Sequence, residues 1–201
     1  MIAALVLAGG RARRLGGVDK AFLDLGGRTV LAHVLARVLP WVACAAISAN
    51  GDPARFSFCG LPVLGDGDFA GQGPLAGLLA GLDWAAGPGA AAVLSVPCDT
   101  PFVPVDLVAA LLPAPACAAS LGRVHHLVAL WPVVARAAPR DLLARPGLRG
   151  VAGFGASLGM REVGFPPINF AGGSWDPFLN INTQDDLALA GRILGQQGAV
   201  P

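Results

Sequence analysis

The sequence has few charged residues, and the types it uses are unevenly distributed. Charged side chains make up 13% of the 201 residues, and the formal net charge is +1. Tyrosine is absent, Glu162 is the only glutamate and Lys20 is the only lysine, so arginine supplies 13 of the 14 basic residues. A protein that covers nucleic acid needs a broadly basic surface. The charge balance therefore argues against a nucleic-acid partner.

The four cysteines lack the spacing of a metal or redox site. None forms a C-x-x-C pair, and no cysteine lies in a zinc-like cluster with histidine. We expect all four to be small buried hydrophobic residues in a reducing compartment: Cys44, Cys59, Cys98 and Cys117.

Signals for export and membrane insertion are also missing from the sequence. The opening run "MIAALVLAGG" is short and has no basic residues before it, unlike a signal peptide. No apolar stretch reaches the roughly 18 residues of a membrane helix without a charge or a proline. We expect a cytoplasmic protein with no membrane partner.

What the chain has in abundance is apolar sequence arranged in alternating strand-like and helix-like segments. Apolar residues make up 54% of the chain, enough for one domain over residues 1–201. Strands are predicted at "IAALVLA", "ACAAISAN", "LPVLGD", "AAAVLSVPCDTP", "ACAASL", "HLVALWPV", "REVGF" and "PFLNIN"; Pro132 makes "HLVALWPV" either antiparallel or an edge strand. Helices are predicted at "TVLAHVLARVLP", "GPLAGLLAGLDWAAG", "VDLVAALLP", Asp141–Arg145, Leu148–Leu158 and "TQDDLALAGRILG", the last capped by Thr183. This alternation predicts an α/β fold with a mostly parallel sheet, whose ligands bind beyond the strands' carboxyl ends.

The first strand ends in a loop that is rich in glycine and positive charge, "LAGGRARRLGGVDK". Glycines let the backbone approach a ligand closely, and successive N–H groups there can bind an anion. The loop matches neither G-x-G-x-x-G nor the P-loop pattern. Its longer mixture of glycines and cations favours a polyphosphate ligand, and the alternative is a glycine-rich turn with solvated arginines.

Polar residues follow the later strands as well. Asp99, in "PCDTP", is expected to project over the carboxyl edge of the sheet as a ligand for Mg²⁺, the alternative being a turn cap. Ser48 and Asn50 could contact a base or ribose, or form an Asx turn. Asn180 and Asn182 are two residues apart on a predicted strand, so they should face the same side.

Each of two further segments could either contact a ligand or have an ordinary structural role. Asp66 follows a short strand in "GDGD", where it contacts a ligand or lies in a solvated turn. In "GQGPLAGL", glycines surround a helix start that could accept a base edge or an anion, or could simply pack against the sheet. His125 and His126 have no carboxylate or serine at nucleophile-like spacing and are expected to be structural or surface residues.

In combination, these motifs resemble the molybdenum cofactor guanylyltransferases, the MobA-type family. The resemblance rests on "LAGGRARRLGGVDKAFLDLGGRTVL", "GPLAGLLAGL", "PCDTPFVPVDLVAAL" and "NINTQDDLA", and it spans nearly the whole chain. It implies a Rossmann-like nucleotidyltransferase with helices on both faces of the sheet. It also implies transfer of GMP from GTP to molybdenum-molybdopterin with Mg²⁺, giving molybdopterin guanine dinucleotide and diphosphate.

The resemblance assigns roles to individual positions. Arg14, Lys20 and Asp99 would be catalytic, with the metal on Asp99, and Asn180 and Asn182 would bind the acceptor. The nucleotide would be bound by Leu7, Ala8, Gly9, Gly10, Lys20, Ser48, Asn50, Asp66, Gly73, Pro74, Leu75 and Asp99. The chain departs from the family at Ser48, where an asparagine is usual, and around "HHLVAL".

Residues 1–105 would then form mainly the nucleotide and metal side, and residues 106–201 mainly the acceptor side. A relative that uses CTP or a sugar or alcohol phosphate stays open, as does a non-catalytic nucleotide-binding protein. Lys20 and Asp99 argue against the last of these. Transient contact with a molybdenum-insertion protein or a molybdoenzyme chaperone also stays open.

Overall fold

The protein is built on one seven-stranded sheet in the order β5-β4-β1-β6-β8-β7-β9. The structure is a computed structural model that describes residues 1–9, 19–144 and 150–197. The strands of this sheet are β1 (Ile2–Leu7), β4 (Cys44–Ser48), β5 (Val63–Leu64), β6 (Ala92–Pro97), β7 (Ala116–Ser120), β8 (Arg123–Pro132) and β9 (Arg161–Gly164). Two small hairpins stand apart from it: β2 (Asp24–Leu25) with β3 (Arg28–Thr29), and β10 (Ile168–Phe170) with β11 (Gly173–Trp175).

Most neighbouring strands run parallel, as the sequence predicts. β4 pairs in parallel with β1 and β5, and β1 in parallel with β6. β8 is antiparallel to both β6 and β7, and β7 pairs in parallel with β9. The antiparallel prediction for β8 is confirmed, whereas the edge prediction is wrong because β8 lies inside the sheet. Pro132 is tolerated at the end of this strand because the bond to β6 is made by the next residue: Val133 N–H donates to the Ala91 carbonyl at 3.0 Å.

Helices cover both faces of the sheet, as expected. They are α1 (Val30–Val38), α2 (Pro74–Ala86), α3 (Leu107–Leu111), α4 (Ala137–Ala144), α5 (Val151–Ser157) and α6 (Gln184–Gln197). α1 and α3 contribute to one apolar core and α2, α4 and α5 to the other, so alternate residues of the buried strands face opposite cores. α6 closes a third cluster with Leu25, Val30 and Phe102. Within the described ranges, no helix has the length and apolar character needed to cross a membrane.

The prediction of a strand at "PFLNIN" is wrong. Residues 177–182 form a turn and an irregular segment, and Phe178 and Ile181 are both fully buried. Burial three residues apart does not fit the two-residue alternation of a strand. The segment's backbone N–H groups bond instead to Asp99 and to the side chains of Asp176 and Asp186.

All four cysteines are unpaired thiols. Cys98 and Cys117 are buried, and Cys44 and Cys59 are partly buried. Burial, with a smaller effect of the Asp99 charge, raises the pKa of Cys98 well above its usual range. The Cys98 thiol therefore stays protonated at neutral pH and is a poor nucleophile.

Helix α2 approaches β1 so closely that Gly81 leaves no room for a side chain. A Cβ at Gly81 would lie 2.3 Å from Leu5 Cδ2 and 2.9 Å from Leu5 Cγ, and Leu5 is completely buried. We expect Gly81→Ala to lower the free energy of unfolding by about 1–3 kcal/mol through overpacking, measured by urea denaturation. Gly191→Ala in α6, where a Cβ meets nothing within 4 Å, is the control and should be neutral or stabilising. Equal stability of the two variants would contradict the close approach.

Candidate active site

A cleft of about 450 Å³ opens along the carboxyl edge of the parallel strands. This volume is within the usual range for small-molecule sites. Ten residues predicted from the sequence line it: Leu7, Gly9, Lys20, Ser48, Asn50, Asp66, Gly73, Pro74, Asp99 and Asn180. The cleft lies where ligands bind in open α/β sheets, beyond the ends of the central strands.

Asp99 is held at one end of the cleft by the turn that follows β6. Cys98 N–H donates to the Leu7 carbonyl at 3.0 Å, which continues the pairing of β1 and β6 past the strand ends. Thr100 Oγ1 donates to the Pro97 carbonyl at 2.9 Å and closes the turn. With its backbone fixed from both sides, Asp99 presents a mostly buried carboxylate, with 12% of the side chain exposed.

Lys20 joins the Asp99 carboxylate to the C-terminal part of the chain. Its ammonium lies 2.9 Å from Asp99 Oδ2 and also donates to Asn182 Oδ1. Asn180 Nδ2 donates to the other carboxylate oxygen, Asp99 Oδ1, at 2.7 Å. One carboxylate, one ammonium and two amides therefore form a connected network, brought together across roughly 160 residues of sequence.

The loop position of Lys20 is fixed by its neighbour Asp19. Asp19 Oδ1 accepts from Ala21 N–H at 3.1 Å and caps the short 3₁₀ segment that begins at Lys20. Arg55 pairs with Asp19 Oδ2 at 2.8 Å and donates to the Asn50 carbonyl at 3.1 Å. Arg55 thereby links the lysine end of the cleft to the loop after β4.

The segment that carries the two asparagines is anchored at the start of α6. Asn182 and Thr183 both donate their backbone N–H groups to Asp186 Oδ2, at 2.9 and 2.8 Å. Thr183 Oγ1 accepts from Asp186 N–H at 3.1 Å, which confirms the predicted cap and completes a reciprocal capping arrangement. Ile181 N–H donates to the Asp99 carbonyl at 3.0 Å and connects the segment to the cleft.

Asn50 and Asp66 form a second polar group in the cleft lining. Asn50 Nδ2 donates to Asp66 Oδ2 at 2.6 Å, and Asp66 N–H donates back to Asn50 Oδ1 at 3.0 Å. Ser48, nearby, is buried against α2. The contact is so close that a Cβ at Gly77 would lie 2.3 Å from Ser48 Oγ, so it requires the glycine. The two reciprocal bonds orient the Asp66 carboxylate, which keeps further acceptor capacity for a ligand.

The N-terminus of α2 contributes to the cleft wall through backbone rather than side chains. Gly73 precedes the helix with φ 85°, a conformation that favours glycine, and it makes no side-chain cap. Pro74 follows as the first helical residue, where its missing N–H has no cost. Gly73, Pro74 and Gly77 all line the cleft, so a ligand can approach this positive helix end closely.

Three predicted residues within the described ranges do not line the cleft: Ala8, Leu75 and Asn182. Gly10 and Arg14 fall outside the described residues. Ala8 is buried, and Leu75 is fully buried in the core between α2 and the sheet, so neither side chain lines the cleft. Asn182 contacts Lys20 from outside the cleft lining.

Sequence reasoning also missed several residues that contribute to the site. Pro97, Cys98 and Leu127 line the cleft without having been chosen as site residues. Pro97 and Cys98 adjoin Asp99 in its motif, so that signal was available. Gly71 and Gly77 also line the cleft, and they belong to the "GQGPLAGL" helix start that was predicted to accept a base edge or an anion. Leu127 reaches the cleft on the reversed strand β8, and the sequence offers no signal for it.

The chemistry available in this cleft is that of charge and positioning. No histidine lines it, and the described ranges contain no cluster of three or more histidine, cysteine or acidic residues. Among the described residues, its ionic groups are Lys20, Asp99 and Asp66. Such a site is suited to an already anionic nucleophile, because it offers no evident general base of the imidazole type.

Known proteins provide independent comparisons. A model of the MobA-like NTP transferase domain matches residues 4–158. The chain is 57% identical to a molybdenum cofactor guanylyltransferase of Acidiphilium cryptum, covering 94% of each chain, and 48% identical to one of Mesorhizobium japonicum, covering 96% of each. It shares its fold with the crystal structure of molybdopterin-guanine dinucleotide biosynthesis protein A from Archaeoglobus fulgidus, with a TM-score of 0.70, 20% identity and coverage of 98% and 100%. The chain therefore belongs to the MobA-like NTP transferase family.

Proposed function

We propose that this protein transfers GMP from GTP to molybdopterin carrying molybdenum, giving molybdopterin guanine dinucleotide and diphosphate. The observation that carries the proposal is the network in which Lys20, Asp99 and Asn180 meet in the cleft. Relatives at 57% and 48% identity bear the name molybdenum cofactor guanylyltransferase, which supports the same activity here. We assign the nucleotide and metal side mainly to residues 1–105 and the acceptor side mainly to residues 106–201.

The proposed reaction is an in-line displacement at the α-phosphorus of GTP. The terminal phosphate oxygen of molybdopterin forms a bond to this phosphorus, and the bond to the bridging oxygen of the β-phosphate breaks. Diphosphate leaves with the electron pair. The nucleophile is already anionic, so the residues of the cleft have to position two anions and neutralise charge rather than remove a proton.

In this scheme Lys20 moves its contacts from Asp99 and Asn182 to the phosphates. Its ammonium neutralises charge at the α-phosphate and at the departing diphosphate, together with Arg14 from the same loop. The backbone of Leu7, Ala8, Gly9 and Gly10 and the open N-terminus of α2 follow the nucleotide. Asn180 and Asn182 hold the acceptor phosphate beside Asp99.

The oxygen atoms around Lys20 fit a divalent cation of the Mg²⁺ type. The Lys20 ammonium contacts both Asp99 Oδ2 and Asn182 Oδ1, so these two oxygens already bind one cationic group. Mg²⁺ takes one or two carboxylates and completes its coordination with phosphate oxygens and water. When bound by Asp99, with Asn182 alongside, Mg²⁺ would neutralise charge on the substrate phosphates.

The Asn50–Asp66 pair supports guanine as the base. A carboxylate only accepts hydrogen bonds, and guanine presents two adjacent donors, N1–H and the N2 amino group. The corresponding edge of cytosine carries two acceptors, N3 and O2, beside its N4 amino group, so the Asp66 carboxylate would meet electron pairs. The bond from the Asn50 amide, together with the return bond from the Asp66 backbone N–H, fixes the carboxylate before the base arrives.

A thermal-shift screen of GTP, CTP, ATP and UTP with Mg²⁺ tests the assignment of the base. At 100 times its dissociation constant, GTP should stabilise the protein by about 2.7 kcal/mol. That corresponds to a rise in Tm of roughly 5–10 °C for a domain of this size. The other three nucleotides should give less, because only guanine offers two donors to Asp66.

The Asp66→Asn variant should lose most of the advantage of GTP over the other nucleotides. Asp68→Asn is the matched control, since Asp68 is exposed two residues away and does not line the cleft. Stabilisation by CTP and not by GTP would contradict the guanylyl assignment and favour a cytidylyl transfer.

A further inference from the structure

A mostly buried histidine–aspartate pair has no role of its own in the proposed mechanism. His125 Nε2, on β8, is 2.8 Å from Asp176 Oδ2, and the two side chains are 6% and 16% exposed. Burial lowers the pKa of His125 despite the neighbouring Asp176, and Arg123 and His126 lower it further. Because a carboxylate can only accept a hydrogen bond, the Nε2–H of His125 donates to Asp176.

Asp176 uses its other oxygen to close a turn. Asp176 Oδ1 accepts from Phe178 N–H at 2.8 Å, and the Asp176 carbonyl accepts from Leu179 N–H at 3.1 Å. The fully buried Phe178 ring packs on the His125 ring at a centroid distance of 4.9 Å, and on Phe165 at 5.3 Å. His125 thus contacts this turn both through a hydrogen bond and through an aromatic face.

The turn leads directly to the asparagines. Residues 177–182 belong to no strand, so regular sheet pairing does not fix their path. The segment is instead fixed at three points: the Asp176 turn at its start, the Ile181 bond to Asp99, and the Asp186 cap at its end. Asn180, whose amide contacts Asp99, lies between the first two of these points.

We propose that His125 and Asp176 are positioning residues that set the acceptor-side segment 176–182 against Asp99. The inference rests on the proposed function, in which Asn180 and Asn182 bind the acceptor phosphate. Neither His125 nor Asp176 lines the cleft, so they act through the segment and not on the substrate. An error of about 1 Å in the position of a substrate-holding group can cost about 10²-fold in rate. The Asn50–Asp66 pair, which is assigned to the base, belongs to other elements, so the preference for GTP over CTP should not depend on His125 and Asp176.

Two amide substitutions that differ by one methylene test the pair. In His125→Gln the longer side chain can place its amide N–H where Nε2–H stood and bond to Asp176. In His125→Asn the shorter side chain cannot reach. We expect His125→Asn to raise the acceptor KM or lower kcat by about 10- to 100-fold, with the larger thermal shift for GTP than for CTP preserved. We expect His125→Gln to remain within about threefold of the wild type.

His33→Asn is the matched control for the loss of a partly buried histidine bond. His33 Nε2 bonds to the Leu25 carbonyl at 2.8 Å, away from the cleft. The His33→Asn variant should have a lower free energy of unfolding but an unchanged acceptor KM and an unchanged kcat. Asp176→Ala, which removes both bonds of the carboxylate, should reproduce the acceptor defect if His125→Asn does not fold.

The outcomes separate this inference from the proposed function. If the wild type transfers GMP and His125→Asn or Asp176→Ala keeps normal constants for the acceptor, the positioning role is wrong. Loss of the larger thermal shift for GTP than for CTP, or a defect in His125→Gln as large as that in His125→Asn, also overturns it. If the wild type itself transfers no GMP, the proposed function fails first.

Discussion

Replacing Asp99 with asparagine is expected to lower the rate of GMP transfer by about 10²–10³-fold while leaving the fold intact. The size is the typical cost of losing one preorganised electrostatic group from an active site. The carboxylate accepts from both Lys20 and Asn180, and the substituted amide offers only one oxygen. Asn180 can turn its own amide over to keep one bond, so stability is largely retained. The negative charge that holds Lys20 and would hold Mg²⁺ is lost.

Steady-state turnover and the thermal unfolding midpoint, measured on the same preparation, check this expectation. Asp83→Asn is the matched control, because Asp83 pairs with Arg140 at 2.8 Å on the exposed surface of α2 and α4. It makes the same change of charge and should leave turnover unchanged. Normal turnover in Asp99→Asn would mean that Asp99 is not the metal ligand and that the charge network has no role in the reaction.

Lys20→Ala is expected to reduce turnover by about 10²–10³-fold as well, and Lys20→Arg by at least about tenfold. A single nitrogen of Lys20 contacts both Asp99 and Asn182. An ammonium is a compact point charge that suits this position, whereas a planar guanidinium presents its donors as a wider fork. This difference explains why a chain that otherwise uses arginine has a lysine here. Turnover with GTP, with stability measured in parallel, gives the comparison.

Because Lys20 is the only lysine in the chain, an amine-directed reagent can modify only this side chain and the N-terminus. GTP should protect Lys20 from modification, which mass spectrometry of the digested protein would detect. Arg140→Ala is the control for loss of a cation, since its partner is the exposed Asp83. A Lys20→Arg variant with normal turnover would overturn the argument for an ammonium, and a Lys20→Ala variant with normal specific activity would overturn the catalytic role altogether.

The parts of the fold that could be predicted are those where local pattern and tertiary structure agree. β1 is a continuous apolar run and β6 is apolar apart from Ser95, and both strands are buried on both faces. α2 begins with proline after glycine, so each of these elements can be predicted from local sequence. The hairpins at residues 24–29 and 168–175 were not predicted, because their strands have only two or three residues. The segment 177–182 was predicted as a strand because apolar and polar residues alternate along it, yet it has no neighbouring strand to pair with.

In the candidate site, too, the predictable residues are those that belong to a local sequence pattern. The strand-end argument singles out Asp99 and the lysine loop because each follows a buried strand directly. The supporting contacts of Arg55 with Asp19 and of His125 with Asp176 span 36 and 51 residues. Neither pair belongs to a local motif, and both depend on how separate elements pack. The resemblance to the guanylyltransferases implies which residues contact the substrates, but it does not imply these two supporting contacts.

The measurement that tests the central claim most directly is diphosphate release by the wild-type protein with Mg²⁺, with and without molybdenum-bearing molybdopterin. The same reactions would be analysed for the dinucleotide product, with Asp99→Asn as the inactive reference. We predict diphosphate and molybdopterin guanine dinucleotide in equal amounts from GTP, and neither product when the acceptor is omitted. Release from CTP but not from GTP, or no release with GTP and acceptor together, would contradict the account.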